Sequence, residues 1–146
     1  TVLSGRLDEV IPTHLCPQLV LELTEHIPVE DYEAVLTALA TLRGHGMRLA
    51  VDDTGAGYAG FRHLLSLQPE IIKLDISLTR GVDTLASHRA LASALAVFAA
   101  AVGAQLLAEG VESVSEMETL RELGLSWMQG YYFGRPSVGL DAVAGC

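Results

Sequence analysis

Five short apolar runs, at 19–23, 48–53, 71–75, 105–109 and 127–132, alternate with stretches of helical periodicity, and the first four carry carboxylates at or near their ends. A strand followed by a helical connection of this length returns parallel to its predecessor, since a tight hairpin is excluded. The spacing therefore predicts an α/β chain: a parallel sheet with helices outside. The helical stretches are specific. Residues 29–43 place Tyr32, Val35, Leu36, Leu39 and Leu42 on one stripe before Gly44. Residues 58–67 read as a short helix with Phe61, Leu64 and Leu65 as its apolar side, and 85–102 as a long one. Ser113 with Glu116 three residues on is a capping box, opening a helix that closes at Gly124. Residues 2–11 read as the back half of an amphipathic helix, so the sequence is expected to begin inside an element and to be a fragment of a longer protein.

The polar residues collect at one place in each unit. In RLAVDDTGAGYAG, at 48–60, an apolar strand runs into Asp52 and Asp53 and then into a loop with Gly55, Gly57 and Gly60. Alternation puts Ala50 and Asp52 on one face and Leu49 and Val51 on the other. The same period turns Glu22 inward from the first strand, with Glu25 just beyond it. In IIKLD, Lys73 and Asp75 share a face, either as part of a site or as a pair that neutralises itself. Gln105, Leu107 and Glu109 share a face of a strand ending in EGVE, with Glu112 close behind, and Gln129 and Tyr131 share a face of the last strand. In a β/α barrel the carboxyl ends of the strands form the rim on which active sites are built. So many carboxylates on one rim repel unless a cation sits among them. All-oxygen donors favour Mg²⁺ or Mn²⁺ over zinc.

Composition narrows the partners. The chain has 146 residues, 50% of them hydrophobic and 18% charged, enough for one domain with a real core. A net charge of −9 argues against broad electrostatic binding of nucleic acid or anionic lipid, so a phosphate ligand must be met by metal or by a few placed cations. Cys16 and Cys146 give neither metal spacing nor a disulfide framework, which fits a reducing, cytoplasmic setting. Residues 90–108 carry no charge, but the run is rich in alanine and broken by Gly103, so it reads as a buried helix, a stop and a strand rather than a membrane span. His14, His26, His45, His63 and His88 have no ligand-like spacing and read as surface or capping residues. Gly55, Gly57 and Gly60 match the G-x-G-x-x-G dinucleotide fingerprint, although two aspartates directly before it would oppose a bare pyrophosphate. A dinucleotide-binding oxidoreductase domain and a non-catalytic interaction module both stay open on spacing alone.

Five motifs in order carry a resemblance to one family, with these alternatives kept beside it. ELTE at 22–25, DDTGAGY at 52–58, KLD at 73–75, AEGVES at 108–113 and QGYYFGRP at 129–136 resemble the successive motifs of the EAL domain family, the cyclic di-GMP phosphodiesterases of bacterial second-messenger signalling. The resemblance covers 19–136 and implies a single EAL-like domain over 1–146, the C-terminal portion of a modified TIM barrel. It implies hydrolysis of cyclic di-GMP to linear pGpG with two Mg²⁺ or Mn²⁺ ions. By motif position Glu22, Asp52, Asp53 and Glu109 match metal ligands, Asp52 as the bridge, and Glu109 counts with Lys73 as catalytic. Lys73 matches the residue that holds and polarises the attacking water. Glu25 matches a residue that orders the glycine loop; Gln129 and Glu112 match substrate-side contacts and Asp75 a supporting group.

The departures are also plain. The Glu-Ala-Leu tripeptide that names the family, and the asparagine ligand of its next strand, are not in this sequence; Glu33, Ala34 and Val35 echo the tripeptide only on a helix. Thr54 stands where the family usually has phenylalanine, and Ala59, Gly60 and Phe61 where it often has Ser-Ser-Leu. The resemblance thus implies a partial barrel lacking its first strands, weak or inactive alone, with a degenerate cyclic di-GMP receptor as the alternative. It further implies attachment to sensory or cyclase domains in a longer protein, and raises pairing of two copies through the region after the glycine loop.

Overall fold

A computed structural model describes residues 13–24, 32–54 and 64–136. A 3₁₀ turn, Thr13–Gln18, leads into β1 (Val20–Thr24), α1 (Tyr32–Gly44), β2 (Arg48–Thr54) and β3 (Ile71–Leu74). There follow α2 (Ile76–Thr79), α3 (Ala86–Val102), β4 (Gln105–Ala108), α4 (Val114–Glu122) and β5 (Trp127–Met128). All four pairings are parallel, and the sheet order is the chain order, β1 to β5. The expected parallel α/β architecture is present. The expected helix at 2–11, the glycine loop, His26 and His63 lie outside the described residues, and only 64–67 of the expected helix at 58–67 is described, as helix. There Leu64 is buried, whereas Leu65 points to solvent.

The register aligns the strand ends. Thr24 pairs with Asp52, Leu74 with Thr54 and Ala108, and Ala108 with Met128, so every strand finishes on one rim. Along β2 the pairing to β3 slips by one residue between Val51 and Thr54. A bulge there breaks the strict alternation at the Asp52–Asp53 pair and bends the strand end.

The two faces of the sheet differ in chemistry. Val51, Ile72, Leu74, Leu106 and Ala108 face the helices and join Ala92, Leu95 and Ala99 of α3 and Leu120 of α4 in the main core. A second cluster joins Leu49 to Val35 and Leu39 of α1 and to Leu67. Burying each such side chain contributes roughly 1.5–3 kcal/mol. The opposite face is concave. Arg48 of β2 lies over the ring of Trp127 of β5, 5.8 Å from its centroid, although β3 and β4 run between them. Only a curled sheet allows that contact.

Two expected boundaries move. β3 stops at Leu74, because the Asp75 carboxylate accepts a hydrogen bond from the Ser77 amide at 2.8 Å and caps α2, a role aspartate fills better than a strand position. β5 stops at Met128 instead of running to Tyr132, since Gly130, at φ 154°, turns the chain and a Cβ there would stand 2.2 Å from the Val111 carbonyl oxygen. Gly130 to Phe133 instead fold back on the segment after β4, with Tyr132 N–H donating to Val111 O at 3.0 Å and Phe133 N–H to Gly130 O at 3.1 Å. The Ser113–Glu116 capping box forms as expected, and Gly103 ends α3 in a left-handed conformation. Among the described residues no helix is long and apolar enough to cross a membrane.

Candidate active site

The concave face carries its charge at the rim. Lys73 is 6% exposed on a strand buried on both sides, and its ammonium meets three carboxylates from three other segments. Glu109 Oε1 lies 3.0 Å from Lys73 Nζ, Asp52 Oδ2 3.1 Å and Glu22 Oε2 3.2 Å. Glu22 comes from β1, Asp52 from the end of β2, and Glu109 from the residue after β4. All three reach the concave face, Glu22 as alternation predicts. Gln129 completes the group: its amide donates to the same Glu109 oxygen at 2.6 Å.

The protonation states follow from this packing. Burial alone would lower the Lys73 pKa, but hydrogen bonds to Glu109, Asp52 and Glu22 outweigh it and hold the ammonium above its ordinary range. Lys73 is thus a fixed cation that donates and does not accept. Burial pushes the Glu109 carboxyl up; the neighbouring Asp52 charge adds to this, while Lys73 opposes it. The cluster offers an ammonium that can meet a phosphoryl oxygen and carboxylates that can accept from a water.

The remaining expected residues are placed differently. Asp75 caps α2 while Lys73 meets Glu22, Asp52 and Glu109, so the self-neutralising reading of Lys73 and Asp75 gives way to the three-carboxylate arrangement. Glu112 lies beside Arg80, whose guanidinium holds its carboxyl below the usual carboxylate range, with Arg135 adding. Glu25 and the side chain of Asp53 lie outside the described residues. His14 and His45 are exposed, and His88 sets its ring Nδ1 2.8 Å from the Arg80 carbonyl.

Two features had no sequence signal strong enough to find them. Arg80 has no motif around it, and Gly130 is one of fourteen glycines until its contact with Val111 is seen. A groove of about 310 Å³ lined by Ala99, Gly103, Gln105 and Leu125 opens at the other end of β4 from Glu109 and has no titratable side chain in its wall.

The oxygen donors have the composition that suits a hard divalent ion. Among the described residues no group of three His, Cys, Asp or Glu is spaced to enclose an ion, because Glu22, Asp52 and Glu109 all close on the Lys73 ammonium.

Comparison with known proteins places the chain. A family model for the EAL domain matches residues 4–136. The chain belongs to the EAL domain family. This EAL domain is 39% identical over 124 residues to the cyclic di-GMP phosphodiesterase RocR of Pseudomonas aeruginosa, covering 84% of this chain and 32% of that protein. It is 33% identical over 136 residues to the probable cyclic di-GMP phosphodiesterase PdeA of Escherichia coli, covering 92% of this chain and 19% of that protein. Among solved structures it resembles Klebsiella pneumoniae BlrP1 in a manganese and cyclic di-GMP complex, with a TM-score of 0.76 and 31% identity over 92% of this chain and 34% of the other. The chain therefore spans a fifth to a third of the length of these relatives. The solved EAL structures that this chain resembles have a TIM-barrel-like α/β fold.

Proposed function

We infer that this EAL domain is the C-terminal portion of a cyclic di-GMP phosphodiesterase, cleaving one phosphodiester bond to give linear pGpG. The observation that carries the reading is the convergence of Glu22, Asp52 and Glu109 on Lys73, all within 3.0–3.2 Å, at the carboxyl ends of strands in an EAL chain. Relatives named as cyclic di-GMP phosphodiesterases, and a neighbour solved with manganese and cyclic di-GMP, support the substrate and the need for a divalent ion.

Glu22, Asp52, Asp53 and Glu109 would hold two Mg²⁺ or Mn²⁺ ions, with Asp52 shared. When bound, the ions supply a Lewis acid at the phosphate and lower the cost of ionising water. The chain's own residues do the placing. Lys73, kept protonated, donates a hydrogen bond to one lone pair of the attacking water and so aims the other at phosphorus; it also offsets charge that grows on the phosphoryl oxygens. Gln129 pins the Glu109 carboxylate in the orientation the cluster uses. Glu25 orders the glycine loop, Glu112 and Gln129 face the substrate side, and Asp75 supports Lys73 by fixing the strand end. The longer protein carries sensory or cyclase domains, pairs as a homodimer and acts in the cytoplasm.

The test is incubation of the full-length protein with cyclic di-GMP and Mg²⁺ or Mn²⁺, with pGpG followed by chromatography. Product that disappears with chelator and returns with either ion is expected. Tight binding with no product would instead identify a receptor that has lost the reaction, and binding of a nicotinamide dinucleotide with no response to metal would revive the glycine-fingerprint alternative.

A further inference from the structure

Glu116 is a buried carboxylate that the reaction does not use. It is 6% exposed, on the first turn of α4, and it accepts hydrogen bonds from three backbone amides. Two belong to the loop after β4: Glu112 N–H at 3.0 Å and Ser113 N–H at 3.2 Å, both to Oε2. The third comes from another segment, Gly81 N–H to Oε1 at 3.3 Å. A capping box accounts for the Ser113 bond and leaves the Gly81 bond unexplained.

Gly81 follows α2, and α2 follows directly from the strand that carries Lys73. The loop that Glu116 grips follows directly from Glu109. Two further contacts join the same segments: a Cβ on Gly110 would overlap the Ile76 side chain at 2.3 Å, and Arg80 pairs with Glu112. On the site side, Glu109 N–H donates to Leu74 O at 3.2 Å. The Lys73–Glu109 pair is thus held in front by its own ion pair and behind by a seam whose buried anchor is Glu116.

We propose that Glu116 is a positioning residue, which sets the separation of Lys73 and Glu109 by tying the segment after β3 to the segment after β4. Its two oxygens divide the work. One caps α4 and the other reaches across. A glutamine has a single acceptor oxygen, so Glu116→Gln can keep the cap and must then turn an NH₂ toward the Gly81 N–H. That substitution severs the cross-segment tie with the helix start intact.

The experiment compares wild type, Glu116→Gln and Glu116→Ala of the full-length protein by amide hydrogen exchange and by hydrolysis of cyclic di-GMP with Mn²⁺. Only the hydrolysis arm rests on the phosphodiesterase reading. In Glu116→Gln, the Glu109 amide, which Glu116 does not touch, is expected to exchange about tenfold faster or more, with kcat down about tenfold and KM within about twofold. Exchange that speeds up only at Gly81, Glu112 and Ser113, with the Glu109 amide and kcat unchanged, overturns the proposal and leaves Glu116 a cap. Should Glu116→Ala fail to fold, the glutamine variant alone decides. Should the wild type hydrolyse nothing, the functional reading fails, and the Glu109 amide still decides whether Glu116 positions the pair.

Discussion

Glu22 and Lys73 stand 3.2 Å apart although the whole of β2 lies between their strands. Side chains two strands apart reach one another only across a concave sheet, so this pair measures the curl that turns a row of strand ends into a mouth. The ammonium also does what a bound cation would do, since it offsets three carboxylates that would otherwise repel.

Lys73→Ala is therefore expected to act twice. Turnover of cyclic di-GMP falls below detection, because the water loses its donor and the phosphate its fixed cation. Stability in the absence of divalent ions falls by about 1–3 kcal/mol, between the values for exposed and for fully buried ion pairs, because Glu22 stays half open to water. Urea melts with and without Mn²⁺, beside a pGpG assay, check both; wild-type turnover in the variant would discard the site.

The Arg80–Glu112 pair gives a pH signature. Arg80 holds Glu112 ionised, so this carboxyl titrates lower in the folded chain than in the unfolded one, where the ordinary value is about 4.3. A depressed acid stabilises fully above its unfolded pKa and loses that contribution as pH falls through the folded value. Melting temperatures of wild type and Arg80→Gln should thus differ near neutrality and converge as pH drops below the ordinary carboxylate range. Both side chains are more than a third exposed, so added salt should also shrink the difference.

How much of this was legible beforehand varies by residue type. A period of two alone turns Glu22 inward and sets Asp52, Lys73 and Glu109 each on one face with its neighbours two positions away; that all four share the concave face follows because a parallel strand buried on its helix side leaves its polar residues a single other face. The capping box at Ser113 is local, and so was readable. What escaped was either a competition or a long-range contact. Asp75 fits a strand face and a helix cap equally well by spacing, and the cap won because the chain turns there. The strand expected to reach Tyr132 was cut short by the approach of Gly130 to Val111, which lie nineteen positions apart in sequence. Arg80 and the Gly81 bond of Glu116 depend on the stacking of two crossover units, which no local pattern encodes.

Leu95 tests the packing that supports the sheet from behind. It is 1% exposed on α3, within the cluster that includes Ile72 and Leu74, the two outward neighbours of Lys73. Leu95→Ala is expected to cost about 2–5 kcal/mol through lost burial and a residual cavity. Chemical denaturation should show a lower midpoint with an unchanged slope. At temperatures where the variant remains folded, its kcat should stay within about twofold of wild type, since it touches none of the reacting groups.

Gly130→Ala separates geometry from chemistry at the same rim. The added methyl carbon would meet Val111 O at 2.2 Å and Val111 N at 2.3 Å, backbone atoms that cannot rotate away, at a φ of 154° that a residue with a side chain resists. The turn must lift off the loop after β4, weakening the Tyr132 N–H bond to Val111 O and the Val111 N–H bond to Gln129 O, both 3.0 Å. Gln129 then loses its hold on Glu109. A destabilisation of at least about 1 kcal/mol is expected from the strain. The loss of turnover should exceed what the unfolded fraction explains, because a carboxylate displaced by an ångström can lower a rate about a hundredfold. Circular dichroism and a pGpG assay on the same sample, at a temperature where both proteins are folded, decide it: turnover equal to wild type would show that the Gln129 contact leaves Glu109 where it was.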